Sequence, residues 1–311
     1  MIVALAGGVG GSKLLLGLSQ VIDPAELTVI VNTADDLILH GLTICPDLDT
    51  MTYTLAGVAD QERGWGIAGD TFNALNWLGR YGREDWFHLG DRDLATHLHR
   101  SALLQQGCTL TEVTDCIRRA ISVRAVILQM SNERVSTTVL TDDGPQPFQT
   151  YLVRDGARHA VRGVIFEGIE QSRPAPGVLE AIEKADGIIV CPSNPVISIG
   201  PILAVPGIRE TLRATKAPVM AISPVVGGRS LKGPTDKFLA GLGHDVSALS
   251  VARLYHDILD LFIVDRLDTD LLPAIEALPL KARATVTIMN NLEQKIALAE
   301  EALTSLAALA G

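Results

Sequence analysis

The sequence predicts an α/β protein built on a parallel sheet, with a mainly helical insertion beside it. Three observations predict this class. The apolar run Met1–Ala6 stops at Gly7-Gly8-Val9-Gly10-Gly11, continues as an amphipathic segment over Ser12–Val21 and returns as a second apolar run at Leu27–Val31. Strand, glycine turn, helix and strand make a βαβ opening, which requires a parallel pair and a right-handed crossover. The same alternation recurs late in the chain, and only 4% of the 311 residues are aromatic, so the core is aliphatic, as strands buried on both faces demand.

Taken in order, the segment from Asp49 to Ala120 carries helical periodicities at Asp70–Arg80, Asp93–Gln106 and Leu110–Ala120 and few β-branched runs. It reads as a helical insertion or subdomain (residues 50–120) within an α/β domain made of residues 1–49 and 121–311. Strand character returns at Val123–Gln129 and Ser136–Thr141, the turn Asp142-Asp143-Gly144-Pro145 follows, and Phe148–Val153 reads as the returning strand. Val161–Glu167 reads as an edge strand, Pro176–Lys184 as a helix and Asp186–Cys191 as a buried strand. Helix Gly207–Thr215, strand Val219–Ile222, loop Ser223–Pro234, helix Thr235–Leu242 and strand Leu261–Val264 continue the pattern, and an alanine-rich helix over Leu292–Leu309 closes it.

Composition excludes several functions. With 36 acidic against 26 basic residues the formal charge is −10, which argues against non-specific binding to nucleic acid or to an anionic membrane surface. The most apolar stretch, residues 187–205, is broken by Pro192, Pro195 and Pro201 and cannot be a membrane helix. Cys45, Cys108, Cys116 and Cys191 lack the spacing of a zinc site or a disulfide framework and read as reduced thiols. No basic region precedes the first apolar run, so no signal peptide is expected. A cytoplasmic protein without a membrane partner is the expectation.

Polar residues gather at the ends of the strands. Gly7–Lys13 lies where a strand becomes a helix, where free N–H groups and the helix dipole favour an anion. It is neither a P-loop nor a G-x-G-x-x-G fingerprint, and a structural turn is the plain alternative; Lys13 adds the charge that favours the anion site. Asn32-Thr33-Ala34-Asp35-Asp36 follows the second strand, where Asp35 could accept from a ribose hydroxyl or Asn32 could simply cap a turn. Asp47 and Asp49, two residues apart in Pro46-Asp47-Leu48-Asp49-Thr50, offer oxygens suited to a hard cation such as Mg²⁺, or merely cap a helix. In His88–His97, Asp93 reads as a helix cap, His97 as a bystander four residues on, and Arg92 as a bidentate clamp for phosphate. Cys191-Pro192-Ser193-Asn194-Pro195 and Ser223-Pro224-Val225-Val226-Gly227-Gly228 form two equivalent strand-end loops, able to hydrogen-bond a base or sugar. Their coincidence on one rim of one sheet points to an enzyme.

In this order the motifs resemble the phospholactate transferase family of coenzyme F-420 biosynthesis. The resemblance spans nearly the whole chain: the glycine-rich start with Lys13, Val31–Asp36, Pro46–Thr50, Trp65-Gly66-Ile67 with Asp70-Thr71-Phe72, and Leu89–His97. Met130-Ser131, Val135-Ser136-Thr137, Pro192–Pro195, Ser198–Ile202 and Ser223-Pro224 complete it, while Asn132-Glu133 departs from a more acidic pair. The resemblance implies a modified Rossmann-like fold with helices on both faces and a homodimer. It also implies transfer of a phospho-three-carbon acid from a guanosine diphosphate-type donor to the ribityl hydroxyl of the deazariboflavin Fo, with release of GMP. Carried over residue by residue, Asp47 and Asp49 belong to the motif associated with metal and the flavin tail. Gly8, Gly10, Gly11, Ser12, Asn32, Asp35, Thr50, His88, Met130, Ser193, Asn194 and Ser223 surround the substrates.

Such a reaction needs positioning and charge neutralisation more than covalent participation. The expected catalytic set is therefore Asp47 and Asp49 on Mg²⁺, with Lys13 and Arg92 offsetting phosphate charge and Asp35 or one of the two metal aspartates as possible base. The acid carried, whether lactate, glycerate or enolpyruvate, is left open. The competing reading is a non-enzymatic regulator of the gluconeogenesis-factor type, which binds a UDP-sugar; the run Leu37-Ile38-Leu39-His40 after Asp36 lacks the Gly/Ser-rich stretch of that type. A nicotinamide-dependent oxidoreductase lacks its glycine fingerprint here.

Overall fold

The computed structural model describes residues 1–310. Strand β1 (Ile2–Ala6) runs directly into helix α1 (Gly8–Val21), and β2 (Leu27–Val31) follows. A hairpin, β3 (Leu37–Leu39) and β4 (Leu42–Ile44), turns through His40 and Gly41 at φ 54° and 81°, the positive values a twisted two-residue hairpin loop requires. Helices α2 (Pro46–Leu55), α3 (Asn73–Arg80), α4 (Asp91–Gln105) and α5 (Leu110–Ala120) precede β5 (Val126–Gln129). Strands β6 (Ser136–Thr141), β7 (Gly144–Pro147) and β8 (Val161–Glu167) form a separate antiparallel sheet with β6 in the middle. Then come α6 (Val178–Glu183), β9 (Gly187–Val190), α7 (Ile199–Ala204), α8 (Ile208–Ala214) and β10 (Val219–Ile222). The short ribbon β11 (Val225–Val226) and β12 (Arg229–Ser230) leads to α9 (Thr235–Gly241) and α10 (Ala248–Tyr255). β13 (Leu261–Asp265), α11 (Leu272–Glu276), β14 (Lys281–Thr285) and α12 (Leu292–Ala310) complete the described chain.

Seven strands form one wholly parallel sheet in the order β14-β13-β10-β9-β1-β2-β5. Successive residues of a strand point to opposite faces, and here both faces are covered. Val3 and Leu5 of β1, with Ile188 and Val190 of β9, join a core that holds Ile182, Ile202, Leu212 and Val251 of α6, α7, α8 and α10. Ala4, Ala6 and Ile189 face the other way, onto Leu14 and Leu18 of α1, Met51 of α2 and Leu298 of α12. The expected α/β sheet with helices on both faces is what forms.

Local expectations fare less evenly. The glycine cluster is not a turn before a helix at Ser12: α1 begins at Gly8. Phe148–Val153 is not the strand that returns from the turn at residues 142–145; that role falls to β7, and Thr150–Arg154 coils into a π-helical turn that buries Tyr151. The hairpin β3–β4 and helix α2 escape notice because each is short and its apolar residues fit several periods. Asp47 and Asp49 thus stand in the first turn of a helix, with Pro46 opening it.

Helices α1 and α12 approach closely. A Cβ on Gly17 would lie 2.1 Å from the Lys295 carbonyl oxygen, so the backbones touch there and the position takes only glycine. Alanine would gain about 1 kcal/mol in helix propensity, yet overpacking costs about 1–3 kcal/mol. Gly17→Ala is therefore expected to destabilise the protein; a denaturant midpoint that stays put or rises would refute this contact as a constraint.

Candidate active site

Numbered within itself, the main sheet runs 3-2-1-4-5-6-7, so the connections depart in opposite directions from β1 and β9. A crevice opens outside the carboxyl ends of two such strands, and ligands bind there. A cavity of about 640 Å³ occupies this place, lined by Gly7–Gly10 and Lys13 after β1, by Asp47, Asp49, Thr50 and Tyr53 of α2, and by Pro192–Asn194 after β9.

Sterics explain the glycines. A Cβ on Gly10 would sit 2.1 Å from the Pro192 carbonyl oxygen, one on Gly11 2.8 Å from Ser193 Oγ, and one on Gly7 2.7 Å from Asp47 Oδ2. These residues let the start of α1, the loop after β9 and the start of α2 meet; the close approach is of protein to itself. Gly8, at φ +62°, turns its N–H onto Asp47 Oδ1 at 2.8 Å. The first amide of α1 therefore binds a carboxylate of the protein, as a helix N-terminus favours.

Asn32, fully buried at the end of β2, organises the centre. Its Nδ2 donates to Asp35 Oδ2 at 2.9 Å, to Asp47 Oδ2 at 3.0 Å and, more distantly, to the Ile197 carbonyl at 3.3 Å. Two carboxylates thus share one amide nitrogen, and Asp35 Oδ1 is buried without a partner. Burial, reinforced by the adjacent Asp47, raises the Asp35 carboxyl well above the usual carboxylate range. Burial also raises Asp47, against the pull of the Gly8 and Asn32 hydrogen bonds. Burial raises Asp36 as well. The carboxylate oxygens of Asp35 and Asp47, held only by neutral donors, fit a hard cation such as Mg²⁺.

Asp49 has a different partner. Arg100 clamps both its oxygens, Nη1 reaching Oδ2 at 3.0 Å and Nη2 taking Oδ1. The same Nη1 lies 3.1 Å from His97 Nδ1, His97 Nε2 lies 3.3 Å from Asp93 Oδ1, and Tyr53 donates to that oxygen at 2.8 Å. All five side chains are buried. Asp49, Asp93 and His97 could be drawn around a metal, since their ligand atoms lie within 4.8 Å of one another. The Arg100 guanidinium already supplies the cation there.

Two aspartates fix the helix that carries this cluster. Asp70 accepts from the backbone of Arg92 and Asp93 at the start of α4, while Asp91 accepts from the backbone of Asn73 and Ala74 at the start of α3. Each satisfies amides that a helix start leaves free. Gly90 is required between them, since its Cβ would lie 2.1 Å from Asp70 Oδ2.

Basic and aromatic side chains complete the cavity lining. Lys13 donates to the Met289 carbonyl at 2.9 Å, and burial, then repulsion from Lys232 and Lys295, lowers its pKa. Lys295 is buried and donates to Gln61 at 2.8 Å. Trp65, Phe87 and His88 also line the cavity, with the Trp65 and His88 rings 6.2 Å apart.

Of the residues singled out in the sequence, Gly8, Gly10, Lys13, Asp35, Asp47, Asp49, Thr50, His88, Ser193, Asn194 and Ser223 line the cavity. Asn32 holds two of them from beneath, and Gly11 and Ser12 face inward along α1. Met130 is fully buried in the core. Two expectations need correction. Arg92 is not on the cavity wall; its guanidinium reaches the Ala68 carbonyl at an exposed site. Asp49 is not free for a metal, because Arg100 holds both its oxygens. Tyr53, Asp93, His97 and Arg100 went unassigned as a unit. Their signal was the spacing Asp93, His97, Arg100 on one helical face, opposite Asp49 and Tyr53 one turn apart on another.

Comparison with known proteins finds relatives along nearly the whole chain. Residues 2–295 match the model of the family described as 2-phospho-L-lactate transferase CofD. A phosphoenolpyruvate transferase of Kitasatospora aureofaciens is 47% identical, covering 98% of this chain and 97% of its own. A 2-phospho-L-lactate transferase of Methanothermobacter thermautotrophicus is 42% identical, covering 96% of each. A crystal structure of a UPF0052 family member from Bacillus halodurans superposes with a TM-score of 0.66 at 19% identity, covering 97% of this chain and 98% of its own, and shares the fold. The chain belongs to the 2-phospho-L-lactate transferase CofD family.

Proposed function

We propose that this protein transfers the phospho-three-carbon-acid moiety of a guanosine diphosphate-type donor to the ribityl hydroxyl of Fo, giving F-420-0 or its dehydro form and GMP. The observation that carries the reading is the placement of Asp47. It stands at the sheet's switch point, on the first amide of α1 and beside Asp35, where an alcohol and a diphosphate can meet. The higher identity to a relative named phosphoenolpyruvate transferase favours the enolpyruvyl form of the acid. A UDP-sugar-binding regulator is not favoured, because proteins named as transferases match this chain over nearly its full length.

The residues divide the work. Lys13, with Lys232 nearby, faces the donor phosphates and offsets their charge. Trp65, Phe87 and His88 offer flat surfaces to the deazaflavin ring. The ribityl oxygen forms a bond to phosphorus as the bond to GMP breaks, and its proton passes to Asp35, whose Oδ1 has no other partner. Mg²⁺ would be held by Asp47; when bound it supplies positive charge to the diphosphate and polarises the attacked phosphoryl group.

Incubation with Fo, Mg²⁺ and the guanosine-diphospho-enolpyruvate or -lactate donor is expected to yield GMP and a charged deazaflavin. Absence of both products with either donor would reject the proposal. Asp47→Asn is expected to lower kcat by about 10²–10³-fold while the protein stays folded; wild-type turnover would remove Asp47 from the site.

Asp35 also affects stability. In the metal-free protein the folded state keeps the Asp35 proton to a higher pH than the unfolded chain does. Between the ordinary carboxylate range and that raised value, stability therefore falls as pH rises, and above it the cost is fully present. Asp35→Asn is expected to raise the melting temperature at neutral pH, with the gain vanishing in acid, while transfer is lost. A neutral-pH melting temperature at or below that of the wild type would contradict this.

A further inference from the structure

We propose that Arg100 is a positioning residue of the transfer site. Its guanidinium sets the hydrogen-bond directions in the buried ladder between α2 and α4, holds His97 as the neutral Nε2–H tautomer and pins Asp49, so that the first turn of α2 presents Asp47 to Gly8 and Asn32. The consequence for turnover rests on the transferase reading; the tautomer does not.

Arg100 Nη1 has two hydrogens and three acceptors within reach, Asp49 Oδ2 at 3.0 Å, His97 Nδ1 at 3.1 Å and, more distantly, the Thr43 carbonyl at 3.4 Å. Arginine has five N–H donors and no acceptor. His97 Nδ1, 3.1 Å from Arg100 Nη1, must therefore present its lone pair, which puts the proton of the neutral ring on Nε2. A proton on Nδ1 would set N–H against N–H; Asp49 Oδ2, the other group near Nδ1, lies 3.6 Å away, too far to accept that proton. On the far edge, Nε2 lies 3.3 Å from Asp93 Oδ1, the oxygen that Tyr53 also approaches, and makes no aligned hydrogen bond in the resting protein. The directions at Asp49 and at His97 Nδ1 thus follow from the one group that can only donate.

Geometry then links the ladder to the cavity. Asp93, His97 and Arg100 lie four and three residues apart on α4, and Asp49 and Tyr53 lie four apart on α2, so two helical faces meet through these side chains. Asp47 is two residues from Asp49 in the same first turn. Arg100 fixes where that turn sits; the Gly8 and Asn32 contacts, at 2.8 and 3.0 Å, depend on its place. Arg100 itself is not on the cavity wall and acts through Asp49 and His97. Without it a buried carboxylate would lose its counter-charge.

Long-range proton–nitrogen correlation spectra of ¹⁵N-histidine-labelled protein, metal-free and at fixed neutral pH, test the proposal. The chain has seven histidines, and the signals lost in His97→Gln identify His97. The wild type is expected to show a bare Nδ1 and a protonated Nε2; a proton on Nδ1, or on both nitrogens, overturns the proposal. Arg100→Gln is expected to give mixed tautomers and a kcat lower by about 10–100-fold, with KM little changed. A folded Arg100→Gln with the wild-type tautomer and kcat overturns it too. Should that variant fail to fold, Arg100→Lys decides: it keeps the charge and a donor but not the fork. A retained Nε2–H tautomer with partly recovered kcat supports the role, and full wild-type kcat refutes it. If the wild type itself makes no GMP from Fo and donor, the transferase reading fails, and the tautomer result still stands or falls alone.

Discussion

One amide nitrogen holds the centre of this protein together. Asn32 Nδ2 has two hydrogens and three acceptors within reach, two of them carboxylates on different segments, one after β2 and one opening α2. Like charges would drive Asp35 and Asp47 apart, and burial makes their ionised forms costly. The shared donor keeps them adjacent all the same. The start of α1 can then place its first N–H on Asp47, and the loop after β9 can close against Gly10 and Gly11. Without that donor, three chain segments that meet at the switch point have no common anchor.

The site keeps two kinds of acid apart. Asp49 has a full partner in Arg100, whereas Asp35 and Asp47 have only neutral donors. An acidic protein that receives an anionic donor needs this division: a carboxylate already paired with arginine contributes shape, and one left with neutral donors is open to an incoming cation or proton. Lys13 on the cavity wall and Lys295 beneath it likewise have only neutral acceptors, the Met289 carbonyl and the Gln61 amide, and no carboxylate partner. Natural sites often sacrifice stability to function in this manner.

Much of this was legible in the amino-acid order. The parallel sheet followed from aliphatic runs stopped by glycine or proline, and the rim residues from their place at strand ends, which is where Lys13, Asp47, Ser193, Asn194 and Ser223 stand. What was not legible depends on partners distant in sequence. Nothing near Asp49 reveals that Arg100 will claim both its oxygens, and nothing near Arg92 that its side chain will turn to Ala68. The glycines at the start of α1 read as a cradle for an anionic ligand, whereas the groups that approach Gly7, Gly10 and Gly11 belong to the protein. The group against Gly10 is Pro192 from more than half the chain away, which no local pattern encodes. Phe148–Val153 alternates well enough for a strand, yet packing of Tyr151 against Phe238 overrides the pattern.

Lys295 ties distant parts of the molecule together. Its carbonyl presses on Gly17 of α1, and its ammonium reaches Gln61 in the loop beside the cavity mouth. The last helix is thereby a strut between the floor of the crevice and one of its walls. A change that unseats α12 would be felt first as a loosened entrance to the crevice and a shifted α1, far from the altered residue. For this chain, the C-terminal helix is as much a part of the substrate chamber as the glycines that begin it.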